Sequence, residues 1–585
     1  MDTDRMADII RFTERIWENT RRFLVTDKDS PWHGGADPAF YIPIQDFLST
    51  SVPLYGHPGS RYYRDPGMLE SLEAQADYLL RHQWESGCIT HGQCNVNSPP
   101  DTAFTVRLVV PCYLLLEREK DRLPETAPVR GKLRLFLDRA IPCMLTGGVH
   151  TPNHRWVMCG ALGMMYELYG DERMKARAYE YLAEGFDITE QGEWFERSNG
   201  GYNPICGIFL YHAARAFGDD ALLEPVRRNI KLMRYMIHPD GTMATEFSTR
   251  QDFGTEADLQ QYYLTALLLA GKDRDPEFQE MAERSFADLC ARGKIVKTGG
   301  EAMIYHMVYP DELRGIAERR PFPERYAIVL QPDHVVSVPK MKDASAVNAD
   351  PSQSAVLRYR HGRLSVTAMA GRRMWLYVQY GEARMGMRLS VAWFGAASMQ
   401  FPAIEDLGGG RYRLRAELAG SYHAPLPPEL ARDARGDYAK LPHHLRAKTH
   451  EVTLPVTLDL IPQGGDGLAI EADIGEPRWV NAQFICMFDP RGTLEAPDDR
   501  GETAKFAETV RAVSPFHAAQ PAIFAESGTV RYRRGGDRIE ISAPPSTHRM
   551  LSTRNDVHDP GFINVLLNYT TPIRHRIEIR CGSAT

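Results

Sequence analysis

The hydrophobic period of this chain changes near residue 325, and that change constrains what its two halves can become. Up to about residue 295, apolar residues recur at i, i+3, i+4 and i+7 in segments such as "TAFTVRLVVPCYLLLERE" and "PEFQEMAERSFADLCARG", the spacing of one helix face. After about residue 325 the period is two. "SAVLRYRHGRLSVTAMAG", "HEVTLPVTLDLI" and "RHRIEIRCG" alternate or run β-branched, with Gly-rich turns between such segments. The expected class is an α+β multidomain protein, with helical hairpins over residues 1–310 and antiparallel strands over 325–585, joined through "VYPDELRGIAERRPFPERY". The segment "GETAKFAETVRAV" reads as a further helix inside the β half, covering a sheet edge or a partner. With 585 residues, 43% hydrophobic and 25% charged, the chain can bury a large core in each half.

The helical half repeats. Helix-start signals fall at Ser98-Pro99-Pro100, at Thr151-Pro152, at Ser198 to Tyr202 and near Ser248 to Gly254, at intervals of about 50 residues. Second helices are expected near 130–143, 172–186, 221–236 and 276–292. If such hairpins stack side by side, every first helix points the same way and their N-termini gather at one mouth. The turns there read "HGQCNVNSPPD", "GGVHTPNHRW", "FERSNGGYNP" and "EFSTRQDFG", rich in amides, His, Tyr, Arg and acids. Four such turns at one rim make a candidate cleft. Helix N-termini also offer unpaired N–H groups and the positive end of the helix dipole, which favour a bound anion.

Composition excludes some functions. A formal charge of -7 without a dense Lys/Arg run argues against a nucleic-acid partner. No apolar run approaches the roughly 18 residues of a membrane span, and the N-terminus shows no secretion signal, so a cytoplasmic protein without a membrane partner is expected. Nine cysteines, without CxxC or Cys/His ligand spacing, fit reduced thiols better than a disulfide framework or a zinc site.

"TPNHRWVMCGAL", followed 48 residues after its His by the Tyr of "GEWFERSNGGYNPICGIFLYH", resembles the Asn-His and Tyr motifs of heparinase II/III-like and alginate-lyase-like polysaccharide lyases. The detailed match covers about 60 residues. The resemblance implies an (α/α) toroid followed by a C-terminal antiparallel β-sandwich, as the periods already suggest. It also implies β-elimination at a uronic-acid glycoside: the C5 proton is removed, the bond to the C4 oxygen breaks, and a 4,5-unsaturated sugar is left. Removing that proton adds charge beside a carboxylate, so the site must first hydrogen-bond or neutralise the carboxylate. By the resemblance, Asn153 binds the carboxylate, His154 neutralises it or acts as base, and Tyr202 is base, acid or both.

Arg155, Arg197 and Arg250 are candidate cations on the same rim, because a phenol titrating near pH ~10 needs positive charge to serve as a base. Asn95, Asn97 and Asp101 are candidate substrate contacts, although Ser98 and Asp101 also suit a helix cap. The HxHxD motif of many relatives is missing, and Arg384, Arg388 or His361 stand as candidates for its place. No cofactor or metal is expected. The partner is an acidic oligosaccharide or polysaccharide; the sequence leaves the oligomeric state open, a homodimer included. Other readings are a glycoside hydrolase using two of Asp101, Glu193, Glu196, Glu246 and Asp252, a C5 epimerase, and an inert glycan-binding protein. His150, His212 and His306 read as structural, His443-His444 as a solvated loop, and Gly408 to Gly410 as a hairpin turn.

Overall fold

The computed structural model describes residues 3–40, 42–90, 92, 94–291, 299–336, 354–495, 522–553, 556 and 558–583. The helix expected over 501–513 lies outside the described residues. The chain divides into two compact units, one of Met1–Ile237 with Gly241–Phe322, the other of Pro323–Thr585 with His238–Asp240.

In the first unit helices come in pairs. These are α1 (Thr3–Thr20), α2 (Ile44–Gly56), α3 (Pro66–Arg81), α4 (Pro99–Arg118), α5 (Ala127–Thr146), α6 (Pro152–Tyr169), α7 (Glu172–Leu182), α8 (Tyr202–Phe217), α9 (Glu224–Met233), α10 (Tyr263–Asp273), α11 (Pro276–Ala291) and α12 (Gly299–Val308). Neighbouring even-numbered helices α2, α4, α6, α8 and α10 pack in succession, and α12 packs on α2 and α4. In α6 nearly every residue from Asn153 to Met165 is buried, as befits a helix covered on all sides. The intervening helices back this inner layer, α5 on α4, α7 on α6 and α11 on α10. Buried polar contacts tie α12 to the inner helices: Arg107 of α4 donates to both Glu301 oxygens at 2.8 and 2.5 Å. His212 of α8 bonds the Tyr305 hydroxyl at 2.6 Å, and the Tyr263 hydroxyl of α10 bonds His306 at 2.7 Å. Burial pushes His306 down to about 3 and His212 well below the usual range, so both are neutral structural imidazoles.

Glycine sets the approach of α6 to α8. A Cβ on Gly160 would lie 2.4 Å from the Phe209 carbonyl oxygen, and one on Gly163 would lie 3.1 Å from the Ala213 Cα. The contacts step forward together along both helices, so α6 and α8 run parallel and their N-termini share one end. Residue 160 faces the residue 49 positions on, and that same offset from Asn153 is Tyr202. Phe104 of α4, 6.2 Å from the His154 ring and 5.4 Å from that of Phe209, repeats the relation one hairpin earlier.

The starts of α4, α6 and α8 fall where the sequence placed them. Ser98 caps α4 by accepting from the Asp101 N–H at 3.2 Å, and the Ser198 hydroxyl accepts from the Tyr202 N–H at 3.0 Å. The fourth start differs, because residues 248–254 form a turn and α10 begins only at Tyr263. The Asp252 carboxylate holds that turn against the preceding one, accepting from the Ser198 hydroxyl and the Gly200 N–H, each at 2.9 Å.

The second unit is a sandwich. One sheet carries, in spatial order, Arg325–Leu330, Val356–His361, Leu364–Met369, Met374–Tyr380, Ala383–Trp393, Asn481–Phe488, Ile563–Thr570 and Ile523–Phe524. The other carries Thr493–Glu495, Thr529–Arg534, Asp537–Ser542, Ile573–Ser583, Gly467–Ile474, Lys448–Pro462, Tyr412–His423 and Glu405–Asp406. Pairing is antiparallel except at Ile523–Phe524, which runs parallel to Ile563–Thr570. Inward residues of both sheets, among them Trp375, Leu389, Leu458, Ile470, Phe484 and Ile577, make one core. Gly408, Gly409 and Gly410, all at positive φ, turn the hairpin into Tyr412–His423.

The expectation of reduced thiols throughout is corrected: Cys88 and Cys143 form a disulfide, with Cα atoms 5.7 Å apart, that fastens the turn before α4 to the end of α5. Among the described residues no helix is long and apolar enough to cross a membrane. Two outcomes are expected. Gly160→Ala should lower the unfolding free energy by about 1–3 kcal/mol in denaturant titration, since the added methyl must displace Phe209 backbone. Cys143→Ser, removing a cross-link over 55 residues, should cost about 2–4 kcal/mol; equal stability with and without reductant would argue against the bridge.

Candidate active site

At the shared N-terminal end of α4, α6 and α8 a cluster of buried polar groups assembles. Asn153 is wholly buried. Its side-chain oxygen accepts from the Thr151 hydroxyl at 2.9 Å, which leaves the amide nitrogen as the unpaired end. His154 is 7% exposed, with Nδ1 unpaired, and its ring meets that of His150 edge to face at 4.9 Å. Asp101, in the first turn of α4, keeps Oδ2 buried without a partner. Buried polar atoms are normally paired, and here three without a partner fall in the first turns of α4 and α6.

Tyr202, half-buried at the start of α8, donates its hydroxyl to Gln251 Oε1 at 3.2 Å, and the Arg250 guanidinium lies 4.8 Å from its ring centre. Arg250 pairs in turn with Glu196 at 3.4 Å. Glu196 also ties its turn to the next one, its backbone carbonyl oxygen accepting from the Thr249 hydroxyl at 2.7 Å. Burial pushes the Glu196 carboxyl up to about 7, against the pull of Arg250. Burial, helped by His150 and opposed by Asp101, drives His154 down to about 4, with Arg250 adding to the depression. At neutral pH His154 is therefore uncharged. It can accept or donate a hydrogen bond, but the cation beside the Tyr202 ring is Arg250.

The remaining candidates fall elsewhere. Arg155 is fixed to Asp187 at 2.8 Å and to the Gly185 carbonyl at 3.0 Å, and packs on Trp156, so it anchors the turn after α7. Arg197 is completely buried, with φ of 51°, and donates to Glu193 at 3.0 Å; the expectation of a rim cation there is corrected, because the left-handed backbone accompanies a side chain held in the core. Asn95 is half-buried and Asn97 exposed, the latter accepting from the Ser86 hydroxyl at 2.5 Å. Arg384 belongs to the second unit, where it pairs with Asp240. Arg388, paired with Asp556, and His361, half-buried beside Gly464, lie in the same unit. Among the described residues no group of three or more His, Cys, Asp or Glu could hold a metal.

Sequence reasoning kept Glu196 only among possible hydrolytic carboxylates and treated His150 as structural. Glu196 and Arg197 are neighbours, and only the backbone conformation at 197 decides which of them borders the cluster.

No protein-family model matches the chain, and no curated protein matches its sequence. Solved structures do. A xanthan lyase from Paenibacillus is 8% identical with a TM-score of 0.51, covering 100% of this chain and 56% of its own; the chain thus spans little more than half of that enzyme. Heparinase III is 11% identical with a TM-score of 0.49, covering 99% of this chain and 85% of its own. The heparan sulfate lyase HepC from Pedobacter heparinus is 10% identical with a TM-score of 0.43, covering 98% and 80%. The likeness to the xanthan lyase, at 8% identity, is one of fold.

Proposed function

We propose that this protein cleaves an acidic polysaccharide or oligosaccharide at a uronic-acid residue by β-elimination. What supports the reading is that the unpaired Asn153 amide and neutral His154 start α6 while Tyr202, with Arg250 over its ring, starts the α8 that packs on it. The Asn153 amide donates to the sugar carboxylate, as does His154, and the positive ends of the helices add to the clamp. Charge developing at C5 is then delocalised into a carboxylate already held by donors. Tyr202, once it has passed its hydroxyl proton to solvent beside the Arg250 cation, takes the C5 proton. The C5 electron pair forms the C4–C5 double bond as the C4–O bond breaks, and the leaving oxygen takes a proton from the Tyr202 hydroxyl. Atoms and charge balance, and the phenolate is regenerated. Neutral His154 fits a donor or base better than a counter-charge, so neutralisation falls to Arg250.

Asn95, Asn97 and Asp101 are retained as proposed sugar-hydroxyl partners, and Arg384 as a proposed substrate contact. The Cys88–Cys143 bridge supports action in an oxidising compartment rather than the cytoplasm expected from cysteine spacing.

Incubation with uronate-containing oligosaccharides should yield an ultraviolet-absorbing unsaturated product. A new reducing end without that absorbance would replace elimination by hydrolysis, and C5 deuterium exchange without cleavage would indicate epimerisation. Tyr202→Phe should lower kcat by about 10²-fold or more with binding nearly intact, and wild-type turnover in that variant would remove Tyr202 from the chemistry. The pH dependence of stability follows from His154. The folded imidazole protonates only near 4, whereas an unfolded His does so near 6.5, so the unfolded chain binds more protons between these values. Stability from this group is present above pH ~6.5 and is lost as pH falls toward 4. Urea titrations of wild type and His154→Gln should diverge across that window, and parallel curves would contradict a depressed His154.

A further inference from the structure

The turn that leads into α6 carries a second histidine, and its backbone is held from several sides. Gly147, where α5 ends, has no room for a side chain: a Cβ there would lie 2.4 Å from the Pro99 Cβ of α4 and 2.6 Å from the Cys143 carbonyl oxygen of α5. The Gly147 carbonyl oxygen accepts from the Arg177 guanidinium at 2.8 Å and the Tyr181 hydroxyl at 2.6 Å, both on α7. At the other end, the Thr151 carbonyl accepts from the His154 N–H at 3.2 Å and joins the turn to α6. Between these anchors His150 is exposed, its ring edge to face against that of His154 at 4.9 Å.

The two imidazoles differ in what they can do. His154 is 7% exposed, and a proton there would place a cation largely out of water. His150 keeps solvent on its exposed side and gains a proton at much smaller cost. The other charged groups around the pair are the Asp101 carboxylate on α4, the Arg250 guanidinium in the turn over 248–254 and, beyond Gly147, Arg177 and Glu180 on α7. Arg250 is paired with Glu196 and Arg177 with Glu180, so each cation is already offset by an acid.

We propose that His150 is a proton-dependent binding residue, taking up a proton as an acidic sugar enters beside His154 and so tightening the hold on that sugar as pH falls. The inference rests on the uronate reading and adds a residue to it: Arg250 supplies a charge that does not vary near neutrality, His150 one that does. An imidazole titrates near pH ~6.5 in water, and a carboxylate within about 4–6 Å favours its charged form. The bound value therefore exceeds the free one, and the extra affinity is present below the free value and lost as pH rises through the bound one. For a rise of about one unit, roughly half a proton enters per bound sugar at pH ~7, and Kd climbs about fivefold between pH ~6 and ~8.

Titration calorimetry of full-length Tyr202→Phe protein with oligosaccharides of alginate, xanthan and heparan sulfate, in phosphate and in Tris, counts the protons, because the two buffers release them with different heats. At least one probe should bind at pH ~7 with a buffer-dependent enthalpy equivalent to about half a proton taken up. His150→Gln should abolish that dependence and flatten Kd between pH ~6 and ~8, while His150→Lys, with a permanent charge, should bind at pH ~8 about as tightly as its parent does at pH ~6. Proton uptake that survives His150→Gln overturns the inference, as does an enthalpy independent of buffer or failure of every probe to bind the parent. Wild-type kinetics separate this idea from the reading it extends. Buffer-dependent binding without any unsaturated product retains His150 and removes elimination, whereas elimination with KM constant between pH ~6 and ~8 removes His150 alone.

Discussion

The close approach of α6 to α8 is the constraint on which the candidate site depends. Gly160 allows the Phe209 backbone where any side chain would collide, and the parallel register that follows carries Asn153 and Tyr202 to the same level. Neither residue could be brought to the other by its own turn, because both turns are short and belong to different hairpins. Packing in the apolar middle of the helices thus determines polar geometry at their ends. The Asp252 carboxylate completes the arrangement by binding Ser198 and Gly200, which shapes the turn from which Tyr202 starts its helix.

Electrostatics then divides the labour. Burial leaves His154 neutral and Glu196 close to half-protonated near neutrality, so positive charge at the mouth is concentrated on Arg250, between a ring that would carry the reacting oxygen and an acid that holds it in place. In the proposed reaction a substrate carboxylate would meet the Asn153 and His154 donors, with Arg250 as the cation. Such an arrangement is costly to the folded protein, since unpaired buried amide and imidazole atoms forgo hydrogen bonds they would make in water. That cost is understandable if a ligand repays it.

Much of the architecture was legible in the sequence, because it is written in periodicity and in helix starts. The change of period near residue 325 separates the helical unit from the sandwich, and Ser98, Pro152 and Ser198 mark helix starts through capping and proline chemistry that acts within a few residues. What escaped depends on contacts between distant segments. The turn over 248–254 carries helix-start residues, yet tertiary bonds from Asp252 hold it as a turn and delay the helix to Tyr263. Arg197 looked like a rim cation by composition, but its left-handed backbone and its pairing with Glu193 keep it in the core. Arg155 was similarly drawn off by Asp187. The Cys88–Cys143 bridge joins cysteines 55 residues apart whose proximity arises only when α5 folds back, so spacing alone gave no hint of it.

The central claim is that Asn153, His154 and Tyr202 meet around a single acidic sugar, and a crystal structure of the inactive Tyr202→Phe protein with a bound uronate oligosaccharide tests it most directly. The account predicts the sugar carboxylate within hydrogen-bonding distance of the Asn153 amide nitrogen, with C5 facing the ring at position 202. A uronate seated with its carboxylate away from Asn153, or with C5 turned from position 202, would contradict it.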